Sequence, residues 1–152
     1  MDPSAGLRQL DAHYQAMPPV AAMRLSIAAY DGQRLRLHAP LAAHVNDKGC
    51  AFGGSLGSLM TLAAWGLVTL RVQDAGMQAD VFVADSRIRY LAPLFADLDA
   101  EAGFAPDSDP AAFLDAVRTR GRGRIELQAS VPLPDGGVAT TMQARYVAIA
   151  RR

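Results

Sequence analysis

The chain has 152 residues, the size of one ordinary domain. Hydrophobic residues make up 51% and charged residues 20%, a balance that supports a folded core and excludes extensive disorder. Fifteen basic residues offset fifteen acidic ones, so no net charge favours nucleic acid or an anionic membrane, and the single Cys50 excludes an internal disulfide and a cysteine-rich zinc site.

The N-terminal part, residues 1–19, predicts a helix followed by a loop within one domain spanning 1–152. Apolar residues recur at helical spacing between residues 4 and 16, and Pro18-Pro19 is expected to end the helix. The first residues lack the basic start and apolar run of a signal peptide, which favours a cytoplasmic location.

Two strands are predicted next, from Arg24 to Ala29 and from Gln33 to Ala39. Asp31-Gly32 between them is a hairpin signal, and the second run alternates apolar and polar residues. Residues 40–50 then form a loop.

The stretch from Gly49 to Leu70 carries no charged residue. We predict that a helix begins near Gly53-Gly54-Ser55. Its apolar part, Leu56 to Leu70, has fifteen residues and would span about 22 Å, short of a hydrocarbon core of about 30 Å. A helix that is apolar on nearly all sides is typical of a protein interior, so we expect a buried central helix and no membrane partner.

The second half of the chain predicts four more strands and one helix. The strands are Val81 to Leu91, Asp97 to Phe104, Arg124 to Val131 and Val138 to Ile149. Asp109-Pro110 is typical of a helix start, and that helix ends near Arg120-Gly121. The pattern predicts an α+β domain in which about six antiparallel strands curve around the central helix.

The segment from Asn46 to Gly54 resembles the hotdog-fold thioesterase signature Asn-x-x-Gly-x-x-His-Gly-Gly, with every spacing matched. The run Ile88 to Pro93 resembles the strand ending in aromatic-x-x-Pro that follows the central helix of that fold. Phe52 in place of the histidine, together with Trp65-Gly66, makes the chain most similar to the YiiD C-terminal type of thioesterase domain.

This resemblance implies a hotdog fold and hydrolysis of a thioester by activated water at a site between two subunits. The implied substrate is an acyl group carried by coenzyme A or acyl carrier protein, with coenzyme A as part of the substrate and no separate cofactor or metal. The implied assembly is a homodimer or a tetramer.

Within the signature, the resemblance assigns the first helical N–H groups to the thioester oxygen. The first N–H groups of a helix have no intrahelical partner, and glycine lets a substrate approach them closely. Gly53 and Gly54 would polarise the thioester carbonyl, and the Asn46 side chain would orient substrate or water. The alternative is that the two glycines only allow tight packing.

The departures from the signature leave the catalytic base open. Well-understood hotdog thioesterases carry a carboxylate seven residues after the second glycine, where this chain has Thr61. The motif histidine is Phe52, and no acidic residue occurs between Lys48 and Asp74. The family's mechanism therefore does not transfer directly.

Two carboxylates are candidates for the base. Asp85 could activate water from the neighbouring subunit, or could instead pair with Arg87 or Arg89 on its strand. Asp47 could act from the loop, although an Asn-Asp pair is also ordinary turn chemistry.

Hydroxyl groups at the helix start are candidates for positioning a water. We assign Thr61 to the catalytic set and Phe52, Ser55 and Ser58 to substrate binding. Ser55 is otherwise a helix-start hydroxyl, and Ser58 could bond its own backbone.

Other polar residues gave weaker hypotheses. A Cys50 thiol could use His44, six residues upstream, as its base. Arg122 and Arg124 could bind coenzyme A phosphates, and alternation would place them with Arg120 on one strand face. A solvated strand edge would explain this arginine cluster equally well. The acidic residues between positions 97 and 109 are interpreted as a solvated surface.

The sequence thus predicts a small acyl-thioester hydrolase, with a non-catalytic acyl-CoA or lipid-binding module as the main alternative. A hotdog hydratase is disfavoured because Phe52 replaces the histidine that such an enzyme needs. The sequence leaves open the acyl chain length and the choice between coenzyme A and carrier protein.

Overall fold

The computed structural model describes residues 3–151, and this part of the chain contains four helices and six strands. In chain order the elements are α1 (Pro3–Ala16), α2 (Pro18–Ala21), β1 (Ser26–Tyr30), β2 (Arg34–Ala39), α3 (Gly53–Asp74), β3 (Ala79–Tyr90), β4 (Leu98–Phe104), α4 (Pro110–Arg120), β5 (Arg122–Pro132) and β6 (Val138–Ala150). A short 3₁₀ helix, Leu41–Ala43, follows β2.

The strands form one antiparallel sheet in the order β1-β2-β4-β5-β6-β3. Alternate residues of β2, β4 and β5 are buried, because one face of the sheet packs on α3 while the other is polar. The predicted α+β architecture, six antiparallel strands with a central helix, is confirmed.

Helix α3 begins at Gly53, as predicted, and extends beyond its apolar run at both ends. Its 22 residues are long and apolar enough to cross a bilayer. However, 67% of its most apolar 18-residue stretch is buried inside the fold. The expectation of a buried helix is confirmed, whereas the argument from a fifteen-residue length was wrong, because the helix extends at both ends of that apolar run.

The N-terminal helices cover one side of α3. Pro18 and Pro19 end α1 as predicted, but they also begin α2, where the sequence predicted only a loop. Proline suits the first helical positions, because the N–H that it lacks has no partner there. Tyr14 of α1 is fully buried, and its hydroxyl donates to the carbonyl of Leu62 in α3 at 2.7 Å.

The predicted hairpin between β1 and β2 is stabilised by the Asp31 carboxylate. Its Oδ1 accepts the backbone N–H groups of Gln33 and Arg34, both at 2.8 Å, and Gly32 has a φ of 88°. These backbone hydrogen bonds lower the pKa of Asp31 below its ordinary value.

Strand β3 lies at the edge of the sheet and contains a bulge. Val83 pairs with Tyr146 of β6, but Asp85 pairs with the adjacent Arg145, so Ala84 is an extra residue without a partner of its own. The hydroxyl of Tyr146 donates to the carbonyl of Thr61 in α3, which places the Tyr146 side chain on the α3 face of the sheet.

The bulge changes which residues of β3 face α3. Paired residues share a face, so Val83, opposite Tyr146, points toward α3, whereas Asp85, opposite Arg145, points away. Beyond the bulge, Ile88 and Tyr90 return to the α3 face. In a strand of regular alternation, with Ala84 paired and no bulge, Asp85 would share the face of Val83.

Candidate active site

The loop that leads into α3 is held together by the Asn46 side chain. Its Oδ1 accepts the N–H groups of Lys48 at 2.8 Å and Cys50 at 3.1 Å, and its Nδ2 donates to the Cys50 Sγ at 3.3 Å. The Phe52 N–H donates to the carbonyl of His44 at 2.7 Å. Within this chain, Asn46 therefore holds the loop before α3 in place.

The start of α3 presents two free backbone donors. The N–H groups of Ser55 and Leu56 both donate to the Phe52 carbonyl. Across residues 3–151, neither the Gly53 nor the Gly54 N–H donates a hydrogen bond. These two donors carry the positive end of the helix dipole.

Both glycines are closely approached by aromatic rings. A Cβ at position 54 would lie 2.5 Å from Cε2 of Phe52, and one at position 53 would lie 3.3 Å from Cε1 of Tyr90. The Tyr90 hydroxyl donates to the Gly53 carbonyl at 3.1 Å. Phe52 and Tyr90 remain more than half exposed. Phe52, which occupies the histidine position of the signature, therefore packs over Gly54.

A groove of 750 Å³ opens beside these donors. We call it the α3 groove; helix α3, the residues around α2, the loop before α3 and the end of β3 form its walls. Its lining residues are Pro19, Val20, Ala22, Met23, Ala43, His44, Phe52, Gly54, Ser55, Gly57, Ser58, Thr61, Leu62, Ile88 and Tyr90. No Asp or Glu occurs among these described residues, so the groove is mainly apolar with a few polar groups.

His44 and Ser55 meet in the α3 groove, eleven residues apart in the sequence. His44 is 5% exposed, its Nδ1 lies 2.8 Å from the Ser55 Oγ, and its Nε2 lies 2.7 Å from the Met23 carbonyl. Both ring nitrogens are thus occupied, and the predicted Cys50–His44 pair is not formed. Sequence reasoning considered each residue but not this pair.

The two other candidate hydroxyls differ in their surroundings. The Thr61 Oγ1 donates to the carbonyl of Gly57 at 2.8 Å and lies 3.7 Å from the Met142 Sδ. Burial raises the pKa of Tyr146, which donates to the backbone of Thr61. Ser58 is exposed in the groove, and its hydroxyl has no hydrogen bond within residues 3–151.

The structure does not bring Asp85 to the helix start. Its carboxylate lies on the face of the sheet opposite α3 and forms an ion pair with Arg145 instead of Arg87 or Arg89. The bulge at Ala84 is the reason, because it turns Asp85 away from the α3 face.

The remaining candidates also lie away from the groove lining. Asp47 is exposed in the loop and forms an ion pair with Lys48. Arg122 and Arg124 share the polar face of β5, as predicted, but neither lines the groove. Arg120 belongs to α4, so the prediction that it shares their strand face was wrong.

Elsewhere, a second cavity of 450 Å³ lies at the opposite end of α3, between α1 and the start of β3. It is remote from the free N–H groups of Gly53 and Gly54. In the described part of the chain, no group of three or more His, Cys, Asp or Glu side chains is arranged to hold a metal ion.

Comparison with known proteins agrees with this architecture. Residues 7–150 match the model of a family described as "Putative thioesterase (yiiD_Cterm)". A protein of unknown function from Chlorobaculum tepidum TLS is 28% identical, with a TM-score of 0.91 over 98% of this chain and 97% of that one. A putative thioesterase from Shewanella oneidensis is 26% identical, with a TM-score of 0.85 over 96% and 99% of the two chains.

A more distant structural relative shares the fold. A thioesterase from Haemophilus influenzae is 13% identical, with a TM-score of 0.68 over 93% of this chain and 90% of that one. The predicted hotdog fold is confirmed.

Proposed function

The chain belongs to the thioesterase family whose model matches residues 7–150, and from that membership we propose that it hydrolyses an acyl thioester in the α3 groove. The acyl group would be carried by coenzyme A or by acyl carrier protein. No further cofactor is needed, since the reaction consumes only water and the thioester.

The observation that carries this proposal is the pair of free N–H groups at Gly53 and Gly54. As a nucleophile adds to a thioester carbonyl, negative charge develops on its oxygen. Two fixed backbone donors at a helix N-terminus stabilise that charge, and the loss of one such donor typically costs roughly 10²–10³ in rate. The absence of a Cβ at both positions lets the carbonyl approach.

The walls of the α3 groove suit an acyl chain. Val20, Met23, Leu62 and Ile88 provide apolar surface on several sides. A groove that is mostly apolar, with a few polar groups at one point, is the usual form of a site for a small amphipathic ligand. The polar point here is the start of α3, where the thioester would lie.

A second copy of the chain completes the site in this proposal. Strand β3 is twelve residues long and lies at the sheet edge, and beyond it Leu91 and Phe95 are 52% and 65% exposed. A long edge strand with unpaired backbone groups is a template for pairing with another strand. Because Ile88 and Tyr90 line the groove from this edge, a β3 strand of a second copy would extend the same wall.

A non-catalytic acyl-CoA or lipid-binding module is the second candidate. It is favoured by Thr61 at the position where related enzymes carry a carboxylate and by the lack of any Asp or Glu among the described groove residues. Such a module would use the same groove without cleaving the ligand.

Free-thiol release from a panel of acyl-CoA and acyl carrier protein substrates separates these functions. Saturable release with one chain-length optimum supports the hydrolase. An increased Tm with acyl-CoA, without thiol release, supports the binding module. If neither thiol release nor an increased Tm is observed with either carrier, the assignment of the groove to acyl thioesters is contradicted.

A further inference from the structure

The environment of His44 fixes the arrangement of its protons. A backbone carbonyl can only accept a hydrogen bond, so the Nε2 facing the Met23 oxygen at 2.7 Å carries the hydrogen. In the neutral ring, Nδ1 is then the bare nitrogen, and the Ser55 hydroxyl donates to it at 2.8 Å. The imidazole is 5% exposed and held from both sides.

This arrangement has the three parts of an activated nucleophile. A hydroxyl donates to a base, and a third group orients that base and stabilises it once protonated. We propose that Ser55 is the nucleophile of this protein and His44 its general base, an inference that rests on the proposed thioester hydrolysis. The Met23 carbonyl takes the orienting role that a carboxylate fills in other hydrolases.

The position of Ser55 suits this role. It lies on the first turn of α3, next in sequence to Gly54, and both Ser55 and His44 line the α3 groove. A thioester carbonyl placed at the free N–H groups would lie beside the Ser55 Oγ. The α3 groove and the two free N–H donors therefore both lie beside the Ser55 hydroxyl.

The pair also supplies the base that the sequence lacks. Among the described residues that line the groove, His44 is the one imidazole, and none is a carboxylate. Thr61 directs its hydroxyl to the Gly57 carbonyl, and Asp85 lies on the other face of the sheet. With His44 as the general base, neither Thr61 nor Asp85 is needed in that role.

The reaction balances in two stages. His44 Nδ1 takes the Ser55 proton as Oγ attacks the thioester carbon; the C–S bond breaks, and the leaving thiolate takes that proton and departs as a thiol. The product is an acyl ester on Ser55. His44 then takes a proton from water, the hydroxide adds to the ester, and the C–Oγ bond breaks as Oγ regains the proton, which releases the carboxylic acid.

Kinetics of three variants test the pair. We expect Ser55→Ala and His44→Gln each to lower thiol release by at least roughly 10³-fold, because nucleophile and base act as a unit. Ser130→Ala is the control, since this serine lies on the polar face of β5, outside the α3 groove, and it should remain near wild type. Circular dichroism checks the fold of each variant. Near-wild-type turnover by Ser55→Ala overturns the proposal.

Covalent labelling separates a nucleophile from a residue that only positions water. A fluorophosphonate probe, located by peptide mass spectrometry, should modify Ser55 in the wild type and fail to do so in His44→Gln. Absence of Ser55 labelling in the wild type overturns the proposal even if thioesters are cleaved. Labelling of Ser55 without cleavage of any thioester supports the pair and contradicts the proposed function, so the two failures are distinguishable.

Discussion

The hydroxyl of Tyr14, on α1, reaches across α3 directly over Gly66 and donates to the carbonyl of Leu62 at 2.7 Å. A Cβ at position 66 would overlap the Tyr14 oxygen and lie 2.7 Å from Cδ2 of Leu35. Glycine in the middle of this helix is therefore required by the close approach of α1 and β2.

We expect Gly66→Ala to destabilise the fold by about 1–3 kcal/mol, because overpacking outweighs the gain of about 1 kcal/mol in helix propensity. The measurement is urea unfolding. Gly6→Ala is the control, since a Cβ there would lie 3.7 Å from the Leu70 Cδ2, an ordinary contact, and should leave stability unchanged or slightly higher. Equal stability of Gly66→Ala and wild type would contradict the packing described.

The oxyanion role of the helix start can be tested at Gly53. Phe52 has a ψ of 133°, which suits a following proline, and proline is tolerated at the first helical position. Gly53→Pro removes one donor and should lower kcat by roughly 10²–10³. Gly53→Ala retains the N–H and makes the same Cβ contact with Tyr90, so it should lose much less activity than Gly53→Pro. Similar rates for the two variants would remove this N–H from the reaction.

Thr61 should prove dispensable for catalysis. Its hydroxyl is bonded to the Gly57 carbonyl, which also accepts the usual helical hydrogen bond. Thr61→Val should keep near-wild-type thiol release and change the free energy of unfolding by less than about 1 kcal/mol. A tenfold or greater loss of kcat at unchanged stability would show instead that this hydroxyl acts on the substrate.

If two copies pair through their β3 edges, the protein is a dimer, and a charge added to β3 should disrupt that dimer. Val83, 44% exposed, is replaced by lysine, and the mass is measured by light scattering after size exclusion. We expect a monomer for Val83→Lys. Ile149→Lys is the control, because Ile149 is 39% exposed but lies on an interior strand of the sheet. A monomeric wild type, or a dimeric Val83→Lys, would contradict assembly through this edge.

Asp31 should contribute to the loss of stability in acid. Its pKa is lowered in the folded state by the N–H groups of Gln33 and Arg34, so the stability it provides is present above the unfolded-state pKa and is lost as the pH falls through the folded-state pKa. Asp31→Asn should therefore be less stable than wild type near neutrality and converge with it in acid, as followed by Tm from about pH 7 to pH 3. Asp135→Asn, at a turn where the carboxylate accepts one N–H bond, is the control and should show a smaller pH-dependent difference.

The sequence was sufficient to predict the features of the fold that depend on local chemistry. Asp31-Gly32 predicted the hairpin, Asp109-Pro110 the start of α4, and the uncharged run after Gly49 the buried helix, because each depends on backbone preference or hydrophobic pattern. The signature around Gly53 likewise identified the helix end that has free donors.

The side-chain partners could not be predicted in the same way. His44 and Ser55 meet because the loop folds back along α3 while Met23 lies on the other side of the ring, and no spacing rule encodes that meeting. Asp85 was expected to act from a neighbouring subunit; within this chain, a bulge one residue earlier directs it to the face opposite α3. Pairing across a bulge depends on the neighbouring strand rather than on the strand's own pattern.

Ala84 also determines the chemical character of the groove. Because β3 has one extra residue there, Ile88 and Tyr90 line the groove while Arg87 and Arg89 point to the opposite face. In a strand of uninterrupted alternation continuing from Val83, the two arginines would occupy the groove wall. The one unpaired residue at Ala84 therefore keeps two positive charges out of the groove wall, and so limits the class of ligand that the groove accepts.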